Sequence, residues 1–156
     1  MRKRPTHEEK IVTQKNRSVP TDVVVPHVAY EDVGEALCWL ESAFGFREHF
    51  RYGDGPNGAQ MYAGKAVIMV SEARPGRMTP AKAGGWTQAL TIFVEDVDGQ
   101  CARAKAAGAK IVEEPHQTEY GEYQCAAEDF AGHLWIFSRH VKDVAPEDWG
   151  GVTARR

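Results

Sequence analysis

The chain has 156 residues, 42% hydrophobic and 26% charged, with a net charge of −3. That suits one globular domain with its own core, and the slight acidity disfavours nucleic acid or an anionic membrane as partner. No apolar run approaches a membrane span, and Cys38, Cys101 and Cys125 are too scattered for a disulfide framework or a CxxC metal site.

Residues 1–20 are polar, carry six basic side chains against two acidic ones, and end at Pro20. They read as a solvated basic tail, because a short arm without interleaved aromatic residues is a weak nucleic-acid signal. No apolar stretch follows the basic start. The expectation is therefore no secretory signal, a cytoplasmic location, and three reduced, buried thiols. Residues 21–140 form the predicted domain.

Residues 23–30 are β-branched without helical period and predict a strand, with Pro26 marking an edge or bulge. Asp32 then caps a helix whose apolar positions are Ala36, Leu37, Leu40, Ala43 and Phe44, and Gly45 ends it. Strands are predicted at 46–52, 59–63 and 65–71, the first two joined by the turn-forming stretch 53–58. Residues 73–85, with Pro75, Gly76, Pro80, Gly84 and Gly85, read as a connector or mobile loop.

The pattern then recurs. Residues 86–94 predict a strand, and Asp96 caps a helix with Val97, Cys101, Ala104 and Ala107 on its apolar side, ended by Gly108. Strands follow at 110–113, 123–127 and 134–138, and a tail at 141–156 in which Trp149 offers a docking point. Two segments repeat outright. Tyr30-Glu31-Asp32-Val33 matches Val94-Glu95-Asp96-Val97 at an offset of 64. Ala63-Gly64 followed by the run 67–71 matches Ala131-Gly132 followed by the run 134–138. The order of elements is the same in both halves, which argues for a duplicated βαβββ unit, residues 22–72 and 86–140.

That duplicated unit resembles the vicinal oxygen chelate superfamily, which includes glyoxalase I, extradiol dioxygenases and bleomycin-resistance proteins. Glu128-Asp129-Phe130-Ala131-Gly132-His133-Leu134-Trp135 is similar to the D-P-x-G-H-x-W signature of its glyoxalase/bleomycin-resistance branch, with Phe130 where Pro is usual. The stretch 39–46 and Ala106-Ala107-Gly108-Ala109 also fit, and the resemblance covers about residues 22–140. It implies an α+β fold in which two βαβββ units form curved half-sheets around a cleft, with helices outside. It also implies a homodimer, because such proteins usually complete their clefts between chains.

Metal-dependent members place a His, Glu or Gln on the first and fourth strands of each unit. The resemblance carries those positions onto Val25, Met69, Ala89 and Ile136, none with a hard ligand atom. The expectation is no metal and no cofactor. A slipped site would need His27, which shares the face of Val25, together with partners such as Gln88, Ser71 or Ser138, and it falls short of three good ligands. By strand parity the cleft is apolar, with Val67, Met69, Phe93, Leu134 and Ile136, and has a few polar points: His27, Ser71, Thr91 and Ser138. Val67, Phe93 and Leu134 fit pocket lining and core packing equally well. Trp86 opens the second unit as a stacking platform or dimer contact, and Tyr120 and Tyr123 flank Gly121 in a loop that would overhang the cleft. The candidate ligand-binding set is therefore His27, Met69, Trp86, Thr91, Phe93, Tyr123, Ile136 and Ser138.

Two functions stay open on this reading. One is a metal-free binding protein of the bleomycin-resistance type that sequesters a partly aromatic molecule. The other is a glyoxalase-like lyase, isomerase or dioxygenase, with His27 as the leading base or with a metal at an unusual position. A histidine at that place also fits a hydrogen-bonded core residue. A third role, an accessory module using the basic arm or the Trp149 tail, needs a protein partner.

Overall fold

The computed structural model describes residues 16–20 and 24–154. Most of the basic tail, and residue 23 at the start of the predicted first strand, lie outside the described residues. The first unit runs β1 (His27–Tyr30), α1 (Val33–Phe44), β2 (Arg47–Tyr52), β3 (Gly58–Ala63) and β4 (Ala66–Glu72). A short helix α2 (Pro80–Ala83) follows. The second unit runs β5 (Ala89–Phe93), α3 (Val97–Ala106), β6 (Lys110–Gln117), β7 (Glu122–Glu128) and β8 (Leu134–His140), before a 3₁₀ turn at Pro146–Trp149.

Each unit makes one four-stranded sheet, ordered β1-β4-β3-β2 and β5-β8-β7-β6. In both, the first strand lies parallel to the last and the other pairs are antiparallel. The helix between the first two strands makes that parallel return possible, because it carries the chain back across one face. The fold is thus α+β with the duplicated architecture that the sequence implied.

Local chemistry sets the helix ends. The Asp32 side chain accepts from the Glu35 amide at 2.8 Å, and Asp96 accepts from the Gly99 amide at 2.9 Å. Each satisfies one of the free amides of a helix start. Gly45, at φ +71°, takes the left-handed position that closes α1. The buried stripe of α1 is Val33, Ala36, Leu37, Leu40, Ala43 and Phe44.

Strand alternation separates two faces in each sheet. Val28, Tyr30, Ala59, Met61, Ile68 and Val70 are buried in the core cluster with α1. Cys125, Ala127, Trp135 and Phe137 are buried in that cluster beneath α3. The two helices pack on each other, and Phe44 of α1 meets Trp135 and Phe137 of β8 at ring distances of 5.3 and 4.9 Å. One apolar core therefore joins the two units.

Some boundaries differ from the sequence expectation for physical reasons. β1 starts after Pro26, which has no amide to donate and joins the ladder only by accepting from Met69 N at 2.8 Å. β6 continues past residue 113 through Pro115. Proline is tolerated there because β6 is an edge strand and its register shifts between Glu113 and His116. The connector holds α2, capped by the buried Thr79, whose hydroxyl accepts from Lys82 N. Cys38 is exposed on α1, correcting the expectation that all three thiols are buried.

Candidate functional site

The signature segment is structural. Asp129 is buried, and its carboxylate accepts four hydrogen bonds: from Tyr30 Oη at 2.7 Å, Trp135 Nε1 at 2.9 Å, and the amides of Ala131 and His133 at 2.9 and 3.0 Å. The first of these reaches across the chain to β1. His133 also reaches back, with Nε2 2.7 Å from the Ala29 carbonyl. Gly132 sits at φ +89°, where a Cβ would come within 2.8 Å of the Ala81 nitrogen of α2. Burial, followed by the charge and hydrogen bond of Asp129, raises the Tyr30 phenol well above its ordinary value.

The face of the second sheet turned away from α3 is the more open one. Cross-strand register lays its residues out in order. Trp86 comes first, its Nε1 donating to Glu128 at 3.1 Å. Ala89, Leu134 and Glu128 follow, then Thr91, Ile136 and Ala126, then Phe93, Ser138 and Gln124, and last His140 and Glu122. From Leu134 to His140 the strip spans roughly 20 Å at ordinary strand rise. Ala126 is buried and Leu134 and Ile136 are half-buried, whereas the rings are open: Phe93 is 60% exposed and Trp86 47%. Aromatic rings stand at both ends, and Phe93 lies 4.8 Å from the His140 ring.

Glu122 closes the far end. It accepts from Ser138 Oγ at 2.6 Å and pairs with His140 Nδ1. Burial pushes its carboxyl up, but the hydrogen bonds from Ser138 and His140 and the His140 charge outweigh that and hold it below the usual carboxylate range. Tyr120, in the turn before β7, reaches the same end by donating from its hydroxyl to Gln124 at 3.2 Å, and its ring meets Trp149 at 5.4 Å.

The corresponding face of the first sheet is partly filled. Gln60 is buried there, with Nε2 donating to the Ser18 carbonyl at 3.2 Å and Oε1 2.7 Å from His49 Nδ1. The segment 16–20 thus touches this face at Ser18. Met69 is half-buried beside Gln60, Val67 and Ser71 are buried, and His27 is exposed at the edge. The cation Arg47 lies 4.5 Å over the Tyr62 ring, whereas Arg51 is held by Glu48 at 2.6 Å.

A divalent cation does not fit the usual positions. Val25, Met69, Ala89 and Ile136 supply no carboxylate or imidazole, and no three His, Cys, Asp or Glu side chains among the described residues gather as a metal centre requires. The family model described as "Glyoxalase/Bleomycin resistance protein/Dioxygenase superfamily" matches residues 22–137. The chain belongs to that superfamily.

Among solved structures of similar fold, TioX from Micromonospora sp. ML1 is 32% identical. That match covers 78% of this chain and 100% of that chain at a TM-score of 0.64. A gene product from Arabidopsis thaliana is 25% identical, covering 76% of this chain and 99% of its own at 0.62. A glyoxalase/bleomycin resistance protein/dioxygenase family enzyme from Burkholderia phytofirmans PsJN is 20% identical, covering 74% and 95% at 0.60, and shows the shared fold alone. No protein of curated function matches the chain. No described helix is long and apolar enough to cross a membrane.

The superfamily fold distributes the sequence-derived set unevenly. It gathers Trp86, Thr91, Phe93, Ile136 and Ser138 on the second strip, and leaves His27 and Met69 on the first sheet. Tyr123 is corrected: it lies within β7 facing α3, where its hydroxyl donates to Asp98 at 2.7 Å. Within β7 Tyr123 shares its parity with Cys125 and Ala127, which are buried in the core cluster, so it turns away from the strip. Sequence reasoning missed Glu122, Gln124, His140 and Gln60. Their polar side chains alternate with the core-facing residues of β3, β7 and β8, a signal that the strand boundaries concealed.

Proposed function

We propose that this chain is a binding protein that sequesters a partly aromatic small molecule, without a resident metal, in a cleft completed by a second copy of itself. The observation that carries this reading is the second strip: a half-buried apolar floor flanked by exposed aromatic rings and crossed by a few polar groups. Such a lining suits a flat organic ligand. Exposed apolar area of this kind, next to the open sheet edges β1 and β5, also favours association of like chains. No bond is made or broken; the free molecule is removed by mass action. The catalytic alternative needs a metal at an unusual position or His27, which lies exposed on the edge strand of the first sheet, apart from the strip.

Metal analysis of protein purified without chelator, paired with a thermal-shift screen of flat aromatic compounds, tests the proposal. The expected result is no stoichiometric metal and a raised Tm with at least one such compound. Stoichiometric zinc, nickel, manganese or iron would overturn it.

A further inference from the structure

Glu122 differs from the other carboxylate of the strip. Glu128 is already engaged by Trp86 Nε1 and by Lys110 Nζ at 3.8 Å. Among the described residues, Glu122 has no lysine or arginine partner, only the Ser138 hydroxyl and His140. Its side chain is 16% exposed, while that of His140 is 76% exposed at the rim. Ser138 is buried and aims its proton at the carboxylate from below.

The surroundings make that anion a recognition point. Tyr120, Glu122, His140 and Val141 line a hollow of about 600 Å³ together with the oppositely charged Lys142 and Asp143. The exposed Phe93 ring stands next to it, 4.8 Å from the His140 ring. A partly dehydrated carboxylate beside aromatic faces attracts a cation twice, through charge-assisted hydrogen bonds and through the ring quadrupoles. A neutral or anionic ligand of the same shape gains neither.

We propose that Glu122 anchors a protonated nitrogen borne by the flat ligand, whose ring lies on Phe93. This rests on the strip being a ligand site, and it narrows the ligand class to aromatic amines and amidines.

Fluorescence titration of the full chain with two tricyclic dyes tests it: proflavine, a flat cation, and acridone, its neutral counterpart. Wild type is expected to bind proflavine about tenfold more tightly than acridone, the scale of one charge-assisted hydrogen bond. Glu122→Gln is expected to erase that preference while leaving acridone binding unchanged, and Phe93→Ala to weaken both dyes. Equal affinity of wild type for the two dyes, or an unchanged preference in a folded E122Q variant, overturns the anchor and leaves the strip reading standing. Binding of neither dye overturns both. The wild-type ratio decides alone if E122Q does not fold.

Discussion

Burial sorts the three thiols. Cys101 and Cys125 are buried between α3 and β7, whereas Cys38 faces solvent. Burial, then the hydrogen bond and charge of Cys101, push the Cys125 thiol up to about 12. Its thiolate, the reactive form, is then scarce at neutral pH. A thiol reagent is expected to label Cys38 alone in native protein and all three cysteines in denaturant; fast native labelling of Cys125 would show that the interface is open. Glu122 titrates in the opposite sense. Its folded pKa is depressed, so the stability it adds is present above the ordinary carboxylate value and fades as pH falls through the folded one. Ser138→Ala removes a donor to the ionised form, and the carboxyl carbon signal of Glu122 should then titrate at higher pH than in wild type.

At the level of elements, the turn between β7 and β8 carries the heaviest polar load. Asp129→Ala strands the buried Tyr30 and Trp135 donors and two amides, and should cost about 3 kcal/mol or more in urea denaturation. Tyr30→Phe deletes one donor and leaves the other three in place, so about 1–2 kcal/mol is expected. Equal losses in the two variants would mean that the turn is not held as described. The same region shows what the sequence could and could not disclose. The Asp-x-x-Gly-His-x-Trp spacing and the repeated Glu-Asp-Val are local, so they revealed the duplicated fold and both helix caps. Contacts made at a distance were hidden: that Asp129 meets Tyr30, or that Ser18 meets Gln60, depends on how the sheets curve. Parity within a strand was legible, but which of its two faces a helix covers was not. The packing of β7 on α3 decided that Glu122 joins the strip and Tyr123 does not.

For the whole molecule, the open strip and the unpaired edges predict a dimer at micromolar concentration in sedimentation equilibrium, and a monomer there would remove the shared cleft. Removing residues 1–20 should leave that dimer intact while freeing the amide of Gln60 from Ser18. The bond from Tyr30 to Asp129 spans 99 residues. During synthesis, then, the opening strand leaves the ribosome long before its partner is made, and its phenol must wait in water until the final hairpin emerges. A nascent chain arrested after β4 should stay protease-sensitive, and resistance should arrive in one late step once β8 is out.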